Sequence, residues 1–349
     1  MSESLIRSPT TAPGSFEWLD QARVVAIMAV TVIHVSAAAV TKPDLGSYEW
    51  WVGIFYNSVT RWCVPVFVMI SGFLLLDPSR QEDWRTFYHK RASRILIPLV
   101  FWTIFYLAWK ILRGVHLHEP ADPVEMIWSV IGGVPAFHLW FLYMIVGLYL
   151  FTPFLRKMLA GLQPDESLLL CALGFFIVAV TTALSVFTAS EGHSRGSFLT
   201  GFLPYLPYFI AGHVFGRVAP AISLRTALAV TAVAVAATML FSFALWPSGF
   251  GQYPGNYNSI TVIPMSYGVF LALRTGNGGK ATLWKHLSPL AFGIYLVHLF
   301  YFSVLGQLGL SIELFNPVLS IPAFAALIFL CSAASVWVMS KLPGLRRCI

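Results

Sequence analysis

Charged side chains are scarce in this sequence. Among 349 residues, Lys and Arg number 22 and Asp and Glu number 15, so that 11% of the chain is charged, against about 25% in an ordinary soluble domain. A soluble chain of this length would need about twice as many charges to cover its surface. The shortage excludes a soluble enzyme, a disordered regulator and a nucleic-acid-binding module.

Cysteine is also rare, and its spacing excludes two further classes of protein. The four cysteines, Cys63, Cys171, Cys331 and Cys348, form no CxxC pair and no metal-ligand pattern. Three of them lie in apolar runs, which favours small buried thiols. We therefore expect neither a disulfide framework nor a metal site.

What the sequence does contain is long apolar runs. Hydrophobic residues make up 57% of the chain, and the mean hydropathy is +0.74. A bilayer core about 30 Å thick requires about 20 mostly apolar residues per helix. By this criterion the sequence predicts ten spans, at about 22–41, 50–76, 95–113, 137–155, 167–189, 198–217, 222–246, 258–274, 288–309 and 317–340.

These runs predict the fold class. We expect an all-α polytopic transmembrane helix bundle with about ten transmembrane helices. Residues 1–349 form a single integral-membrane domain, in which about 1–15 are a flexible N-terminal tail. The runs are continuous instead of alternating, which excludes a β-barrel. Little of the chain is left for a soluble domain.

The basic residues predict the orientation. With ten spans and cytoplasmic termini, sixteen Lys and Arg residues lie on the cytoplasmic side, against Lys42, Lys110, Arg113 and Arg195 on the other. The positive-inside rule therefore places both termini in the cytoplasm. The net charge of +7 mostly reflects this topology. Residues 79–94 are polar with aromatic residues at helical spacing, which predicts an amphipathic helix on the cytoplasmic interface before the third span.

Ionisable groups inside spans are costly and usually face the bundle interior, so they indicate where function lies. Arg23 and His34 are eleven residues apart, which puts them on one helix face about 16 Å apart along the axis. Asp20 lies one turn below Arg23 on nearly the same face. Two interpretations of Arg23 stay open here, namely that it extends to the lipid headgroups or that Asp20 neutralises it. A histidine titrating near neutral pH is a natural general base. The alternative is a buried neutral histidine bonded to a backbone carbonyl.

Two further arginines share a face where the predicted interfacial helix meets the third span. Arg91 and Arg94 are three residues apart, and paired guanidinium groups suit phosphate recognition. Positive-inside anchoring explains the same pair equally well.

At these residues the sequence resembles the membrane acyltransferase-3 family of bacterial integral-membrane O-acyltransferases. FEWLDQARVVAIMAVTVIHV resembles the opening signature of the family, with Arg23 and His34 in register, and RASR at 91–94 matches its Arg-x-x-Arg motif. Further matches are RWCVPVFVMISGFLL (61–75), HLWFLYMIVGLYLFTPFL (138–155) and SPLAFGIYLVHLF (288–300). The stretch HLWFLY resembles the subgroup containing the enterobacterial-common-antigen O-acetyltransferase. The five motifs keep the order of the family and cover essentially the whole chain.

The resemblance implies a reaction in the bacterial cytoplasmic (inner) membrane. An acyl group, usually acetyl, passes from acetyl-CoA (acyl-CoA) in the cytoplasm to a hydroxyl of a cell-envelope glycan or lipid-linked sugar. The implied catalytic residues are His34 as general base, Arg23 and Asp20. Arg91 and Arg94 contact the phosphates of coenzyme A, and Arg61 and Ser71 line the donor site. His138, Trp140 and His298 are assigned to substrate binding, and no metal is expected.

Other interpretations of the sequence stay open. Prolines in many spans are typical of secondary transporters, so a transporter or exporter of a polysaccharide or small polar solute is the alternative function. Direct transfer and an acyl-histidine relay both agree with the residues. The expected partners are acyl-CoA, the glycan or lipid-linked acceptor and membrane lipid. No nucleic acid is expected, and a homo-oligomer is compatible with the sequence.

Overall fold

The predicted fold class is confirmed by a computed structural model. The structure describes residues 17–80, 82–188, 199–220, 222–276 and 281–349, and within these ranges it is helical and contains no strand. The predicted tail at 1–15 and the basic residue Arg195 lie outside the described residues. The described helices form a bundle around one large apolar core.

Thirteen α-helices follow one another along the described parts of the chain. They are α1 (Glu17–Thr41), α2 (Tyr48–Thr60), α3 (Cys63–Leu75), α4 (Trp84–His116), α5 (Pro123–Ile131), α6 (Trp140–Ala160), α7 (Pro164–Thr188), α8 (Leu206–His213), α9 (Leu224–Leu245), α10 (Val262–Thr275), α11 (Ala281–Leu287), α12 (Ala291–Gln307) and α13 (Pro317–Lys341). A 3₁₀ turn at Leu203–Tyr205 and a π-helical turn at Val214–Val218 extend α8 at its two ends.

Eight helical segments of the described chain are long and apolar enough to cross a membrane. The sequence predicted ten spans, and the two that fall short are those at 198–217 and 258–274. Their α-helices, α8 and α10, have only 8 and 14 residues. The apolar runs there begin in turns, at 199–202 and at 256–261. The length of an apolar run therefore overestimated the length of the helix.

Ion pairs between helix ends agree with the predicted alternation of spans. Lys285 Nζ lies 2.8 Å from a carboxylate oxygen of Glu17, and both residues belong to the predicted cytoplasmic side. Lys42 Nζ lies 2.7 Å from a carboxylate oxygen of Glu313 on the opposite side. These contacts bring together ends that the alternation places on the same face. Which face is cytoplasmic stays a prediction.

The predicted interfacial helix is helical from Trp84 onward and is continuous with the third span. A single helix, α4, runs for 33 residues from Trp84. Asp83 caps it, because its carboxylate accepts a hydrogen bond from the Arg85 amide at 3.1 Å. At 1.5 Å per residue α4 is about 50 Å long, whereas the bilayer core is about 30 Å thick. The first turns of α4 therefore extend beyond the core and carry Arg91 and Arg94 at its edge.

Helices α3 and α8 cross at backbone contact. A methyl group at Gly72 would lie 1.7 Å from the carbonyl oxygen of Phe209, and one at Gly212 would lie 1.9 Å from the carbonyl oxygen of Met69. Only glycine permits this approach, as is usual for close helix packing in membranes. The crossing fixes α3, which carries Ser71, against the rest of the bundle.

The span at 48–75 is interrupted in its middle. Helix α2 ends at Thr60, α3 begins at Cys63, and Arg61 and Trp62 form a turn between them. The indole nitrogen of Trp62 donates to the carbonyl of Val59 at 2.6 Å, and the amide of Arg61 donates to the carbonyl of Ser58 at 3.2 Å. These bonds satisfy backbone groups that the interruption leaves open. The turn directs Arg61 into the interior of the bundle.

Candidate functional site

One cavity brings together nine of the ten residues predicted from the sequence. It has a volume of about 830 Å³ and is lined by side chains from α1, α2, α3, α4, α6 and the start of α12. The predicted residues among its lining are Asp20, Arg23, His34, Arg61, Ser71, Arg91, Arg94, His138 and Trp140. His298 is 1% exposed and lies behind the cavity wall, in contact with His34.

A small polar network surrounds Arg23 at the end of the cavity predicted to face the cytoplasm. The guanidinium of Arg23 lies 3.1 Å from the carboxylate of Asp20. The hydroxyl of Ser288 donates to the same carboxylate oxygen at 2.7 Å, and Arg23 donates to that hydroxyl at 3.5 Å. The predicted pairing of Asp20 with Arg23 is confirmed. Ser288, which begins the motif at 288–300, joins the pair to the start of α12.

Positive charge accumulates at this same end. Arg23, Arg80, Arg91 and Arg94 line it, and Asp20 is the only carboxylate among the lining residues. The Nε atom of Arg91 is buried and has no hydrogen-bond partner in the described chain. This cluster therefore has guanidinium groups in excess of its counter-charges, as a site for a phosphorylated ligand requires.

The loop that carries Arg80 is held from two sides. Arg156, which is buried, donates through Nε and Nη2 to the carbonyl of Leu75, at 3.1 and 2.9 Å, and through Nη1 to the carbonyl of Arg80 at 3.2 Å. Arg217 lies 3.2 Å from the carboxylate of Asp77. Burial raises the pKa of Asp77, but hydrogen bonds from Ser79 and the charge of Arg217 outweigh it and hold that pKa below its ordinary value.

Between its two polar ends the cavity has apolar walls. They consist of aliphatic and aromatic side chains from α1, α3, α4, α6 and α12, namely Val30, Ile33, Val64, Phe67, Ile70, Leu74, Ile95, Phe141, Ile145 and Phe292. Along α1 the distance from Arg23 to His34 is about 16 Å. This middle section is suited to an uncharged, slender part of a ligand and excludes a charged one.

The far end of the cavity holds a second arginine site. The Nε atom of Arg61 donates to the side-chain oxygen of Asn57 at 2.8 Å, and its Nη2 atom donates to the same oxygen. The amide nitrogen of Asn57 in turn donates to the carbonyl of Ile33 at 3.4 Å and to the hydroxyl of Ser36 at 3.2 Å. Asn57 thereby fixes the guanidinium beside the turn of α1 that carries His34. No carboxylate of the described chain pairs with Arg61.

Three histidines meet at the same level. The ring centroids of His34 and His298 are 5.1 Å apart, and those of His298 and His138 are 5.2 Å apart. His34 lines the cavity, and within the described residues no hydrogen bond to its ring is found. The described chain contains no group of three or more His, Cys, Asp or Glu side chains arranged to hold a metal ion.

Backbone carbonyls anchor the two deeper histidines. His298 Nδ1 lies 2.6 Å from the carbonyl oxygen of Tyr295, and His138 Nε2 lies 3.3 Å from that of Leu296. The hydroxyl of Tyr106 donates to the same Leu296 carbonyl at 2.7 Å, and the hydroxyl of Tyr295 donates to the carbonyl of His138. These bonds join α4, α6 and α12 around the histidines.

Among the cavity residues that sequence reasoning missed, four polar ones stand at its two ends. Arg80 was counted only as a topological charge, although it lines the cationic end. Ser288 and Asn57 are polar residues in apolar surroundings, a signal applied to the histidines but not to them. Tyr257 lines the far end and belongs to a loop rich in glycine and aromatic residues, whose position over Arg61 no local pattern indicates.

Comparison with known proteins identifies the family. The family described as an acyltransferase domain, acyltransferase-3, matches residues 16–339. The chain belongs to the acyltransferase-3 family. The match includes every residue predicted for the site, so the cavity lies within the acyltransferase-3 domain itself.

A curated acyltransferase-3 relative aligns with part of the chain. The Nodulation protein NolL of Sinorhizobium fredii (strain NBRC 101917 / NGR234) is 22% identical over 139 residues. This alignment covers 40% of the chain and 36% of the relative, so the chain matches little more than a third of that protein. No solved structure matches the chain.

Proposed function

We propose that this protein is a membrane O-acyltransferase that transfers an acyl group, namely acetyl, from cytoplasmic acyl-CoA to a sugar hydroxyl.

 The observation that carries the proposal is that a cluster of arginines and His34 line one and the same cavity. Membership in the acyltransferase-3 family supports it.

The cationic end suits the donor. The nucleotide of acetyl-CoA carries several phosphate charges, and four arginines with one carboxylate line this end. Guanidinium groups bind phosphate through paired N–H donors, and the unpartnered Nε of Arg91 is a donor without an acceptor. We assign Arg91 and Arg94 to the phosphates, with Arg80 beside them. The apolar middle of the cavity suits the slender pantetheine arm, which places the thioester near His34.

The far end suits the chemical step. His34 accepts the proton of the acceptor hydroxyl as its oxygen attacks the thioester carbonyl carbon. A C–O bond forms, the C–S bond breaks, and the proton passes from His34 to the departing sulfur of coenzyme A. Direct transfer of this kind requires one base and no acyl-enzyme. Arg23 and Asp20 lie too far along α1 to touch the reacting atoms, so their proposed role is to order the donor end.

Arg61 supports the same step. During attack, negative charge develops on the thioester oxygen, and a fixed cation stabilises it. The Arg61 guanidinium lines the cavity and is held by Asn57 next to the turn of α1 that carries His34. We propose that Arg61 stabilises this oxygen. Ser71, which also lines the cavity, donates to the carbonyl of Phe67 at 3.0 Å and is assigned to the path of the donor.

The acceptor is proposed to enter from the side opposite the arginine cluster. His138 and Trp140 line the cavity there, and the ring of Trp140 lies 5.4 Å from that of Tyr205 and 6.1 Å from that of Tyr257. Aromatic faces of this kind suit a sugar ring. We propose a cell-envelope glycan or lipid-linked sugar as acceptor and the bacterial inner membrane as location. The resemblance of HLWFLY to the enterobacterial-common-antigen O-acetyltransferase subgroup supports this choice.

Removal of His34 tests the reaction. Membranes containing the protein are incubated with acetyl-CoA labelled in the acetyl group and with a glycan acceptor. The expected result is transfer of label by the wild type and its loss in His34→Ala at equal expression. His213→Ala is the matched control, because His213 is also buried but does not line the cavity. Acylation by His34→Ala at the wild-type rate would refute the assignment.

Removal of the arginines tests the donor site. Arg91→Ala and Arg94→Ala should weaken binding of coenzyme A about 10-fold each, as expected for loss of a charge-assisted hydrogen bond. Arg85→Ala is the control, since Arg85 lies on the same helix and does not line the cavity. Unchanged affinity in both cavity variants would contradict the proposal. Flux of a glycan across vesicles without any acylated product would instead favour the transporter.

A further inference from the structure

We infer that His298 is a positioning residue, which holds the His34 ring in the tautomer and orientation that leave its other nitrogen free as a base. The inference rests on the proposed role of His34. It assigns to His298 a contact with His34 in place of the contact with substrate that the sequence suggested. Three observations carry it, namely a fixed tautomer, an unpartnered buried nitrogen and the separation of the two rings.

The tautomer of His298 is fixed by the backbone. Its Nδ1 atom lies 2.6 Å from the carbonyl oxygen of Tyr295. A carbonyl oxygen only accepts hydrogen bonds, so Nδ1 carries the proton and Nε2 of the neutral ring is a bare acceptor. The Nε2 atom is buried and has no partner in the described chain. A buried acceptor without a donor is unfavourable and is seldom left so in a folded protein.

The donor that this nitrogen lacks is within reach on His34. The two ring centroids are 5.1 Å apart and the rings are inclined by 38°. A ring nitrogen lies about 1.1 Å from its centroid, so two rings joined by an N–H···N bond of about 2.9 Å have centroids about 5.1 Å apart. The observed separation is therefore compatible with such a bond; the two rings are in contact but not hydrogen-bonded in the structure, and a rotation of the His34 ring would form the bond. Within the described residues no hydrogen bond holds the His34 ring, which packs edge-on against Phe137 with the ring centroids 5.6 Å apart.

The other neighbouring histidine, His138, cannot donate a hydrogen bond to the Nε2 atom of His298. His138 packs edge-on against His298 at 5.2 Å, but the Nε2–H group of His138 donates its hydrogen bond to the carbonyl of Leu296. The Nδ1 atom of His138 is then itself an acceptor and is buried without a partner. His138 therefore cannot donate to His298, and His34 is the histidine that can. When one ring nitrogen of His34 donates its N–H to His298, the other ring nitrogen is unprotonated. That nitrogen can then remove a proton from the sugar hydroxyl that receives the acyl group.

Two substitutions at the same position separate positioning from packing. His298→Asn keeps an N–H donor near the position of Nδ1 for the Tyr295 carbonyl but removes the acceptor at Nε2. His298→Gln places an amide oxygen near the position of Nε2 and keeps the acceptor. We expect kcat for acyl transfer to fall about 10- to 100-fold in His298→Asn, which is part of the contribution of a positioned base. His298→Gln should recover most of it. KM for acyl-CoA should stay within about twofold in both variants.

The controls distinguish failure of this inference from failure of the proposed function. His213→Asn should retain wild-type kcat, since His213 is buried with an unpartnered Nδ1 but lies outside the cavity lining. An inactive His34→Ala together with a fully active His298→Asn overturns the positioning role alone. An active His34→Ala overturns the proposed base as well. An equal loss of kcat in His298→Asn and His298→Gln, at wild-type expression and thermal stability, overturns the role of the His298 Nε2 atom as a hydrogen-bond acceptor.

Discussion

Replacement of Arg61 by Met should abolish most acyl transfer without a matching loss of stability. Two structural effects on the folded protein oppose each other. Loss of the guanidinium leaves the side-chain oxygen of Asn57, which is 3% exposed, without its donors, and a buried unsatisfied acceptor costs about 1–3 kcal/mol. The substitution also removes a charge from the membrane interior, and such a charge costs about 2.5–3.5 kcal/mol on insertion scales. The free energy of unfolding should therefore change by no more than about 2 kcal/mol.

The catalytic effect of the same substitution has no such compensation. Removal of one preorganised donor to a developing oxyanion lowers kcat about 10²- to 10³-fold, or about 2.7–4 kcal/mol of transition-state stabilisation. Arg61→Lys retains the charge but not the fork that Asn57 accepts, so its kcat should lie between those of the wild type and Arg61→Met.

The assay combines initial rates in nanodiscs with thermal unfolding of the same samples. Arg274→Met is the matched control, because Arg274 donates to the carbonyl of Phe215 at 2.8 Å and does not line the cavity. It should leave kcat unchanged. A value of kcat for Arg61→Met within threefold of the wild type would refute the role of Arg61 at the thioester oxygen. A loss of activity that follows the fraction of unfolded protein would refute it too.

Three further predictions follow from single contacts. Gly212→Ala places a carbon 1.9 Å from the Met69 carbonyl oxygen, so α3 and α8 must separate, and the yield of monodisperse protein should fall far below that of the wild type in parallel purifications. Asp77→Asn should lower stability by about 1 kcal/mol at pH 7. Because the pKa of Asp77 is held below its ordinary value in the folded state, this difference should begin to shrink as the pH falls to about 4 and should vanish only below the folded-state pKa, as measured by thermal unfolding across this pH range. Arg80→Ala should weaken coenzyme A binding severalfold in equilibrium titration; unaltered affinity would remove Arg80 from the donor site.

Local sequence patterns predicted much of this fold because a membrane constrains helices one at a time. Run length located the long helices, since each must be apolar over the thickness of the bilayer. Helical periodicity placed Asp20, Arg23 and His34 on one face of α1, and all three line the cavity. Where an apolar run includes a turn, the same reasoning failed, as for α8 and α10.

Local sequence patterns could not predict contacts between segments that are far apart in the chain. Ser288 bonds to Asp20 across 268 positions of sequence, and the Cys348 carbonyl accepts from the indole of Trp102 across 246. No periodicity within a helix encodes which other helix lies beside it. The motif at 288–300 located His298 as a residue of interest, but its contact with His34 becomes visible only once α1 and α12 are packed together.

The interruption between α2 and α3 has an electrostatic consequence. The C-terminal end of a helix carries the equivalent of about half a negative charge, and Arg61 is the C-cap residue of α2. A continuous helix would present no such pole in mid-membrane. The N-terminal end of α3, at Cys63, brings an opposite partial charge close by, but the guanidinium folds back onto Asn57 in the last turn of α2. The α2 end therefore gives it a partial counter-charge built from peptide bonds, which no proton can neutralise. A carboxylate in the same position would have quenched the cation, whereas the dipole stabilises it and leaves most of its field directed at whatever enters the cavity.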